Sequence, residues 1–144
     1  MPAVIQPTKA PQLGTGLAYP MQLDTTKGRP LVVSGQDLVY ASIQQILFTD
    51  IGERPFVTRN GIPYGTRIRR ALFSPAEVAA DIIVYETKRA LDAWEPRITV
   101  TDVQVDKIDN GAGGVILVST IRATWRNTNS PVNFVVPYTL GKQL

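Results

Sequence analysis

Cysteine and histidine are both absent from the 144 residues of this chain. Without cysteine there are no disulfides, no thiolate nucleophiles and no cysteine-based metal sites. Without histidine the chain lacks the side chain that most often serves as a general base or metal ligand near neutral pH. These two absences exclude most familiar catalytic constellations, and we predict neither a cofactor nor a metal site.

Long apolar runs are missing too. No stretch approaches the roughly 20 apolar residues that a membrane-spanning helix needs, and the start of the chain lacks the pattern of a secretory signal. The 15 basic and 12 acidic residues leave a formal net charge of only +3, whereas dedicated nucleic-acid-binding domains usually carry a larger basic excess. We therefore predict that neither a membrane nor a nucleic acid is the partner.

Hydrophobic residues make up 44% of the chain, which is enough for the core of one domain. Residues 1–18 contain several prolines and glycines without apolar periodicity, which predicts an extended N-terminal arm. Residues 19–144 are predicted to form a single α+β domain, because helical patterns come first and β-rich runs follow.

Two segments of the chain show apolar residues at helical spacing. Val39, Ile43 and Ile46 recur at helical spacing within residues 35–48, and Ser34 is a candidate N-cap. A second helix is predicted from Pro75 to about residue 94, with Ser74 as N-cap, a capping box formed by Ser74 and Glu77, and a stop at Pro96. The predicted apolar stripe of this second helix comprises Val78, Ile82, Ile83, Ala90, Leu91 and Trp94.

Three β-rich runs occupy residues 97–105, 115–125 and 132–138, separated by turn-forming residues. This pattern predicts an antiparallel three-stranded sheet on which the two main helices pack. The apolar phase changes within the first run, so we expect a β-bulge near residues 101–102.

Residues 49–65 are rich in glycine and proline and are predicted to be loop, with a helical turn after Thr66. Four arginines in and after this loop, with Tyr64 and Phe73 nearby, leave a nucleic-acid-binding module as one alternative function. The more ordinary interpretation is a solvated or protein-facing basic patch. These arginines are Arg59, Arg67, Arg69 and Arg70.

Paired carboxylates are the catalytic motif that needs neither histidine nor cysteine, so a small cell-wall hydrolase is a second alternative. The candidates are Glu53, Glu77, Glu86 and Glu95. Glu77 belongs to the predicted capping box, and the other three lie beside basic residues, which stabilise the carboxylate form that cannot donate a proton. We therefore predict that the chain is not an enzyme.

The Glu95-Pro96-Arg97 joint holds two opposite charges where the second helix meets the first long strand. Proline fixes φ at this point and makes the joint rigid. One interpretation is a helix stop with a surface ion pair of little energetic value. The other is a half-buried joint whose charges point at specific partners.

Several motifs, taken in order, resemble the baseplate wedge and sheath-initiator family of contractile phage tails, which also occurs in type VI secretion and contractile-bacteriocin baseplates. The resemblance covers about residues 17–138, and the family has also been labelled lysozyme-like. The motifs are Tyr19-Pro20, Ser42-Ile43-Gln44-Gln45-Ile46-Leu47, Thr49, Gly52-Glu53-Arg54, Tyr64-Gly65, Leu72-Phe73 and Trp94-Glu95-Pro96-Arg97-Ile98.

The resemblance implies a structural subunit that joins the baseplate wedge to the tail and presents a sheet to the first sheath ring. Its implied partners are wedge proteins and the sheath protein, with tail tube or hub proteins as further candidates. Its implied location is the tail baseplate of the virion, assembled in the host cytoplasm. Glu95, Pro96 and Arg97 are implied to contact the helical bundle of the wedge, and Glu53 and Arg54 to shape a loop or contact the wedge.

The last β-rich run is predicted to be poorly protected against strand pairing, since no charged residue lies between Ser130 and Leu140. We expect sheath strands to add to this sheet, at either edge, by β-augmentation. The interface residues predicted in this run are Val132, Phe134, Val135 and Val136. Charges introduced by Val132→Lys or Val135→Lys are expected to allow baseplates to form but to stop sheath growth on them.

At the Glu95-Pro96-Arg97 joint, Glu95→Ala and Arg97→Ala are expected to leave the domain folded but to block its incorporation into baseplates.

Overall fold

The structure is a computed structural model that describes residues 13–109, 111 and 113–139. Its internal contacts divide the chain into two units, residues 1–45 and residues 46–144. Residues 1–12 of the predicted N-terminal arm lie outside the described residues. The division at residue 18 and the single domain over 19–144 stay predictions.

Four short strands occupy the first unit, and they pair as two antiparallel ladders, β1 with β4 and β2 with β3. The last residues of the predicted arm therefore form a strand. Asp24 shapes the β2–β3 turn, because its Oδ1 accepts the backbone N–H of Thr26 at 3.0 Å. The strands are β1 Thr15–Leu17, β2 Leu23–Asp24, β3 Arg29–Pro30 and β4 Val32–Ser34.

The first helix, α1, spans Gln36–Phe48 and confirms the helix predicted over residues 35–48. Val39 and Ile43 are fully buried, as their spacing predicted. The predicted cap is displaced by one residue, because Ser34 belongs to β4 and the Gly35 carbonyl accepts the N–H of Val39 at 3.2 Å. The division between the two units falls inside this helix, after Gln45.

The second unit opens with a small hairpin and two helices. The long helix ends where it was predicted to end, but it begins at Ala76 with Pro75 at the N-cap and no side-chain cap. The predicted capping box is therefore wrong, since Ser74 lies one residue too early to cap the first turn. The elements are β5 Thr58–Arg59, β6 Ile62–Pro63, α2 Ile68–Ala71 and α3 Ala76–Trp94.

The sheet of the second unit has the strand order β7-β8-β9 and is antiparallel throughout. Its strands are β7 Ile98–Asp109, β8 Val115–Trp125 and β9 Pro131–Thr139. The predicted bulge is confirmed by a register shift between Val100 and Asp102. β7 extends beyond its predicted end at residue 105, because pairing continues to Asp109 opposite Val115. The α+β class with a C-terminal three-stranded antiparallel sheet is confirmed.

Helix α3 packs against β7 and β8. Ile83, Ala90 and Leu91 are fully buried on its packed side, as predicted. Val78 was predicted to share this apolar stripe, but its side chain is 48% exposed. The packed side of the helix passes through Ala79, which is fully buried. Val78 is the preceding residue, and neighbouring residues of a helix point in different directions, so Val78 lies at the edge of the packed side.

Strand β9 alternates strictly between exposed and buried side chains. Its buried side is formed by Val132, Phe134, Val136 and Tyr138. Val135 points to the other face and is 49% exposed. The two lysine substitutions proposed from the sequence therefore do fall on opposite faces, one in the core and one on the surface.

Candidate functional site

The joint between α3 and β7 is organised around a buried carboxylate. Glu95 is the C-cap residue of α3, and its side chain is 0% exposed. Arg97 holds both of its oxygens: Nε donates to Oε1 at 2.6 Å and Nη2 donates to Oε2 at 2.8 Å. The backbone N–H of Arg97 also donates to Oε1, at 3.4 Å. This fork geometry is the strongest arrangement that an arginine and a carboxylate make.

This geometry separates the two interpretations of the joint. The ion pair is not a surface pair, because Glu95 is fully enclosed and the side chain of Arg97 is only 28% exposed. Pro96, between them, is exposed. At this joint Glu95 is enclosed, Arg97 is partly exposed and Pro96 is exposed. Contact of these residues with a wedge protein stays a prediction.

A second buried carboxylate ties the preceding loop to α3. Glu86 is 4% exposed, and its Oε2 accepts the N–H of Arg67 at 3.0 Å and Nη2 of Arg89 at 2.8 Å. Nη2 of Arg89 also donates to the carbonyl of Gly65 at 3.1 Å. Sequence reasoning treated Glu86 only as a helix residue beside two cations. Its spacing of three residues from Ile83, a predicted core residue, puts it on the same side of the helix, but only the structure shows that it is enclosed.

The Gly52-Glu53-Arg54 segment stabilises its own loop. Glu53 accepts the N–H of Asp50 at 2.8 Å and pairs with Nη1 of Arg69 at 3.4 Å. The guanidinium carbon of Arg54 lies 4.7 Å from the centre of the Tyr64 ring, a cation–π distance. These contacts account for the loop role that was expected of Glu53 and Arg54. Their contact with a wedge protein stays a prediction.

The aromatic residue expected in a nucleic-acid platform is instead part of the core. Tyr64 is 9% exposed and packs edge-on against Trp94, with ring centroids 5.0 Å apart. Trp94 in turn donates its Nε1–H to the carbonyl of Pro63 at 3.2 Å. Tyr64 therefore offers no open face for a base to stack upon. Of the two aromatic residues named for a nucleic-acid-binding module, Tyr64 and Phe73, the first is not available for stacking.

The predicted interface residues of β9 divide by face. Val132, Phe134 and Val136 are 8%, 3% and 0% exposed, so any contact they make with another chain is through the backbone. Val135 is the one among these four whose side chain is exposed. An interface at this strand would therefore combine main-chain pairing with the side chain of Val135.

The four carboxylates considered as acids of a hydrolase lie at different places, and each has a basic or backbone partner of its own. Both Glu95 and Glu86 are buried against arginines, Glu53 supports its loop, and Glu77 is exposed with Nζ of Lys107 at 4.0 Å. Among the described ranges, no group of three or more acidic side chains is placed to hold a metal ion, and no helix is long and apolar enough to cross a bilayer.

Comparisons with known proteins agree with this architecture. The model of the family described as baseplate wedge protein gp25 matches residues 33–130, more than half of the chain. A crystal structure of a candidate tail lysozyme from Geobacter sulfurreducens is 30% identical, with a TM-score of 0.63, over 79% of this chain and 99% of that one. No curated protein matches the chain.

A second solved structure, the baseplate of the anti-feeding prophage, contains a chain with the same fold. The two are 19% identical, with a TM-score of 0.56, over 92% of this chain and 90% of that one. The family match and the 30% identical structure confirm the resemblance carried by the ordered motifs. This chain belongs to the baseplate wedge protein gp25 family.

Proposed function

We propose that this chain is a structural subunit of a contractile-tail baseplate that links the wedge to the tail and templates the first sheath ring by strand addition. Its partners would be wedge proteins and the sheath protein, with tail tube or hub proteins as neighbours. Membership in a baseplate family supports the general role. The strand-addition role rests on one observation, the uncharged outer strand β9 of the three-stranded sheet.

The order β7-β8-β9 makes β7 and β9 the outer strands of this sheet. The two differ in the side chains that they expose. β7 carries Asp102, Asp106 and Lys107, charges of the kind that discourage pairing with another chain. β9 carries no charge along its nine residues, and its exposed side includes Val135. We therefore favour β9 as the strand that meets the sheath, with main-chain hydrogen bonds supplying affinity.

The joint supports the proposed link to the wedge. An arginine that is held in a fork by a buried carboxylate has a fixed direction, so little side-chain entropy is lost when a partner contacts it. Arg97 is held in this way by Glu95, and the exposed Pro96 beside it adds a rigid apolar surface. The joint therefore offers a preorganised contact at the end of α3.

Val135→Lys tests the strand-addition role. We expect the variant to fold with near-wild-type stability, because the side chain is half exposed. We also expect it to enter baseplates but to leave tails without sheath, because a lysine on an outer strand opposes pairing. Electron microscopy of purified particles, with incorporation measured by immunoblot, gives both readings.

Val78→Lys is the matched control, since it makes the same substitution at a side chain with equal exposure on α3, 48% against 49%. Normally sheathed tails from Val135→Lys, or loss of sheath from both variants alike, would contradict the proposal. Val132→Lys is unsuitable for this comparison. Its side chain is 8% exposed, so the ammonium group would be forced into the core and unfolding would obscure the result.

We further expect that the purified chain does not clear suspensions of bacterial cell walls. Glu95 and Glu86 are enclosed and bound by arginines, and Glu53 is engaged in its loop, so none of them is placed to protonate a glycosidic oxygen. A turbidity assay beside a known lysozyme measures this. Clearing by the wild-type chain that disappears in Glu95→Gln or Glu53→Gln would instead establish a hydrolase.

A further inference from the structure

A groove of about 300 Å³ opens beside the joint, within the second unit. It is bounded by the β5–β6 hairpin, the last turns of α3 and the residue that follows β8. The sequence singled out Arg59 and Pro96 separately but did not bring them together, because the walls of the groove come from three distant segments. The lining includes Arg59, Asn60, Arg89, Asp92, Pro96 and Arg126.

The lining is strongly unbalanced in charge, with three arginines and a single carboxylate, Asp92. The charge of Arg89 is offset by its ion pair with Glu86. Arg126 donates Nε–H to the neutral hydroxyl of Thr99 at 3.2 Å. Among the described residues, neither Arg59 nor Arg126 takes part in an ion pair. Two guanidinium groups without an ion pair therefore share this groove with one carboxylate, Asp92, so the described lining keeps a net positive charge.

We propose that this groove binds a carboxylate side chain on an acidic extended segment of a neighbouring baseplate protein, an inference that rests on the function proposed above. Guanidinium groups match the planar geometry of a carboxylate and bind it through two parallel hydrogen bonds. The volume of about 300 Å³ lies at the lower end of the range for binding pockets, which suits one or two side chains.

Two observations favour an acidic protein segment over a nucleic acid. The groove includes Pro96, so it is continuous with the joint that is proposed to face the wedge. Asp92 lies in the same lining and opposes the dense charge of phosphates, while it can accept an N–H from a peptide backbone. A binding site for single-stranded nucleic acid would need a longer basic path with open aromatic faces.

The first test is a titration of the full chain with a fluorescein-labelled hexaglutamate peptide at low ionic strength, followed by anisotropy. We expect saturable binding that weakens at least tenfold in Arg59→Glu and in Arg126→Glu. Arg70→Glu is the matched control, because Arg70 is an exposed arginine of α2 outside the groove and the charge change is the same. Asp92→Asn should bind the peptide more tightly than wild type.

Absence of saturable binding, or equal weakening in Arg70→Glu, would overturn the proposal. So would tighter, Arg59-dependent binding of an oligothymidylate, which would assign the groove to nucleic acid, or displacement of the peptide by equimolar inorganic phosphate. None of these readings needs an assembled tail. The outcome is therefore independent of the Val135→Lys experiment, and failure of one proposal can be told from failure of the other.

A photo-crosslinking amino acid at Asn60, an exposed turn residue of the groove, identifies the neighbour inside purified particles. Crosslinks to an acidic segment of another baseplate chain support the inference. Crosslinks to DNA or to a basic segment, or assembled particles without any crosslink, overturn it. If this variant does not enter particles, the titration with Arg59→Glu and Arg126→Glu decides.

Discussion

Arg97→Met is expected to lower the free energy of unfolding by about 3 kcal/mol, the lower end of the cost of breaking a buried ion pair. The substitution keeps an apolar stem of similar length but leaves the carboxylate of Glu95, which is 0% exposed, without its fork of hydrogen bonds. The cost falls at the lower end because Arg97 is partly exposed, so water can reach part of the vacated space. Urea denaturation followed by circular dichroism measures the change.

The reciprocal variants sharpen this expectation. Glu95→Met should cost less than Arg97→Met, because the freed guanidinium can turn towards solvent whereas a freed carboxylate at the end of α3 cannot. The double variant should be more stable than Arg97→Met alone, because no charge is then left buried. An Arg97→Met chain within about 1 kcal/mol of wild type would show that the pair contributes no more than an exposed one does.

These stabilities decide how assembly experiments on the joint are to be interpreted. A small domain is stable by about 5–15 kcal/mol, so a loss of this size leaves most variant molecules folded at moderate temperature. Arg97→Ala and Glu95→Ala can therefore be tested for incorporation into baseplates below their melting range. Failure to enter baseplates while folded would support a role for the joint in wedge contact, whereas complete tails would reduce it to a helix stop.

Gly65→Ala is expected to destabilise the chain by about 3 kcal/mol or more, because it adds a steric clash to backbone strain. Gly65 has a φ of 105°, and a Cβ atom there would lie 2.5 Å from the carbonyl oxygen of Thr49. That oxygen is fixed, since it accepts the N–H of Thr66 at 2.9 Å. The two loop segments cannot separate without losing this bond and the hydrogen bond from Arg89 to the Gly65 carbonyl.

Gly52→Ala is the matched control for this prediction. Its φ of 98° is similar, but nothing lies within 4 Å of the position that its Cβ would take. Gly52→Ala should therefore lower the free energy of unfolding only by the cost of backbone strain, about 1–3 kcal/mol. Gly65→Ala should show a clearly larger loss in the same denaturation experiment. Equal losses in the two variants would mean that the loop around Thr49 yields, and that the close approach is not a constraint on the fold.

Much of the fold follows from local rules that the sequence displays. Pro96 ends α3 because proline disfavours a helical residue before it, and the ladder β7-β8-β9 follows from three β-rich runs joined by turn residues. The bulge near residues 101–102 was visible as a change of phase. These features depend on neighbours along the chain, so composition and spacing were sufficient to predict them. The family resemblance likewise rested on motifs that can be read in order.

The candidate sites depend on residues that are far apart in the chain, and there the sequence alone was insufficient. Local pattern placed Ser74 in a cap and Val78 in the core, but the packing of α3 against the sheet shifts the helix start and turns Val78 outwards. The local sequence pattern also could not show that the carboxylates of Glu86 and Glu95 are buried. Burial is set by whatever packs above a side chain, and spacing along one helix does not record that.

By itself, then, the sequence determined the absence of thiol and imidazole chemistry, the α+β class and the strand order, since each follows from residue types and their local spacing. Only the tertiary structure decided which charges are enclosed in pairs and which stay uncompensated. Arg97 is bound to a buried partner, while Arg59 and Arg126 are brought to one groove from segments 67 residues apart in number. Electrostatic energy depends on distance and on access of water, and both are properties of the folded chain.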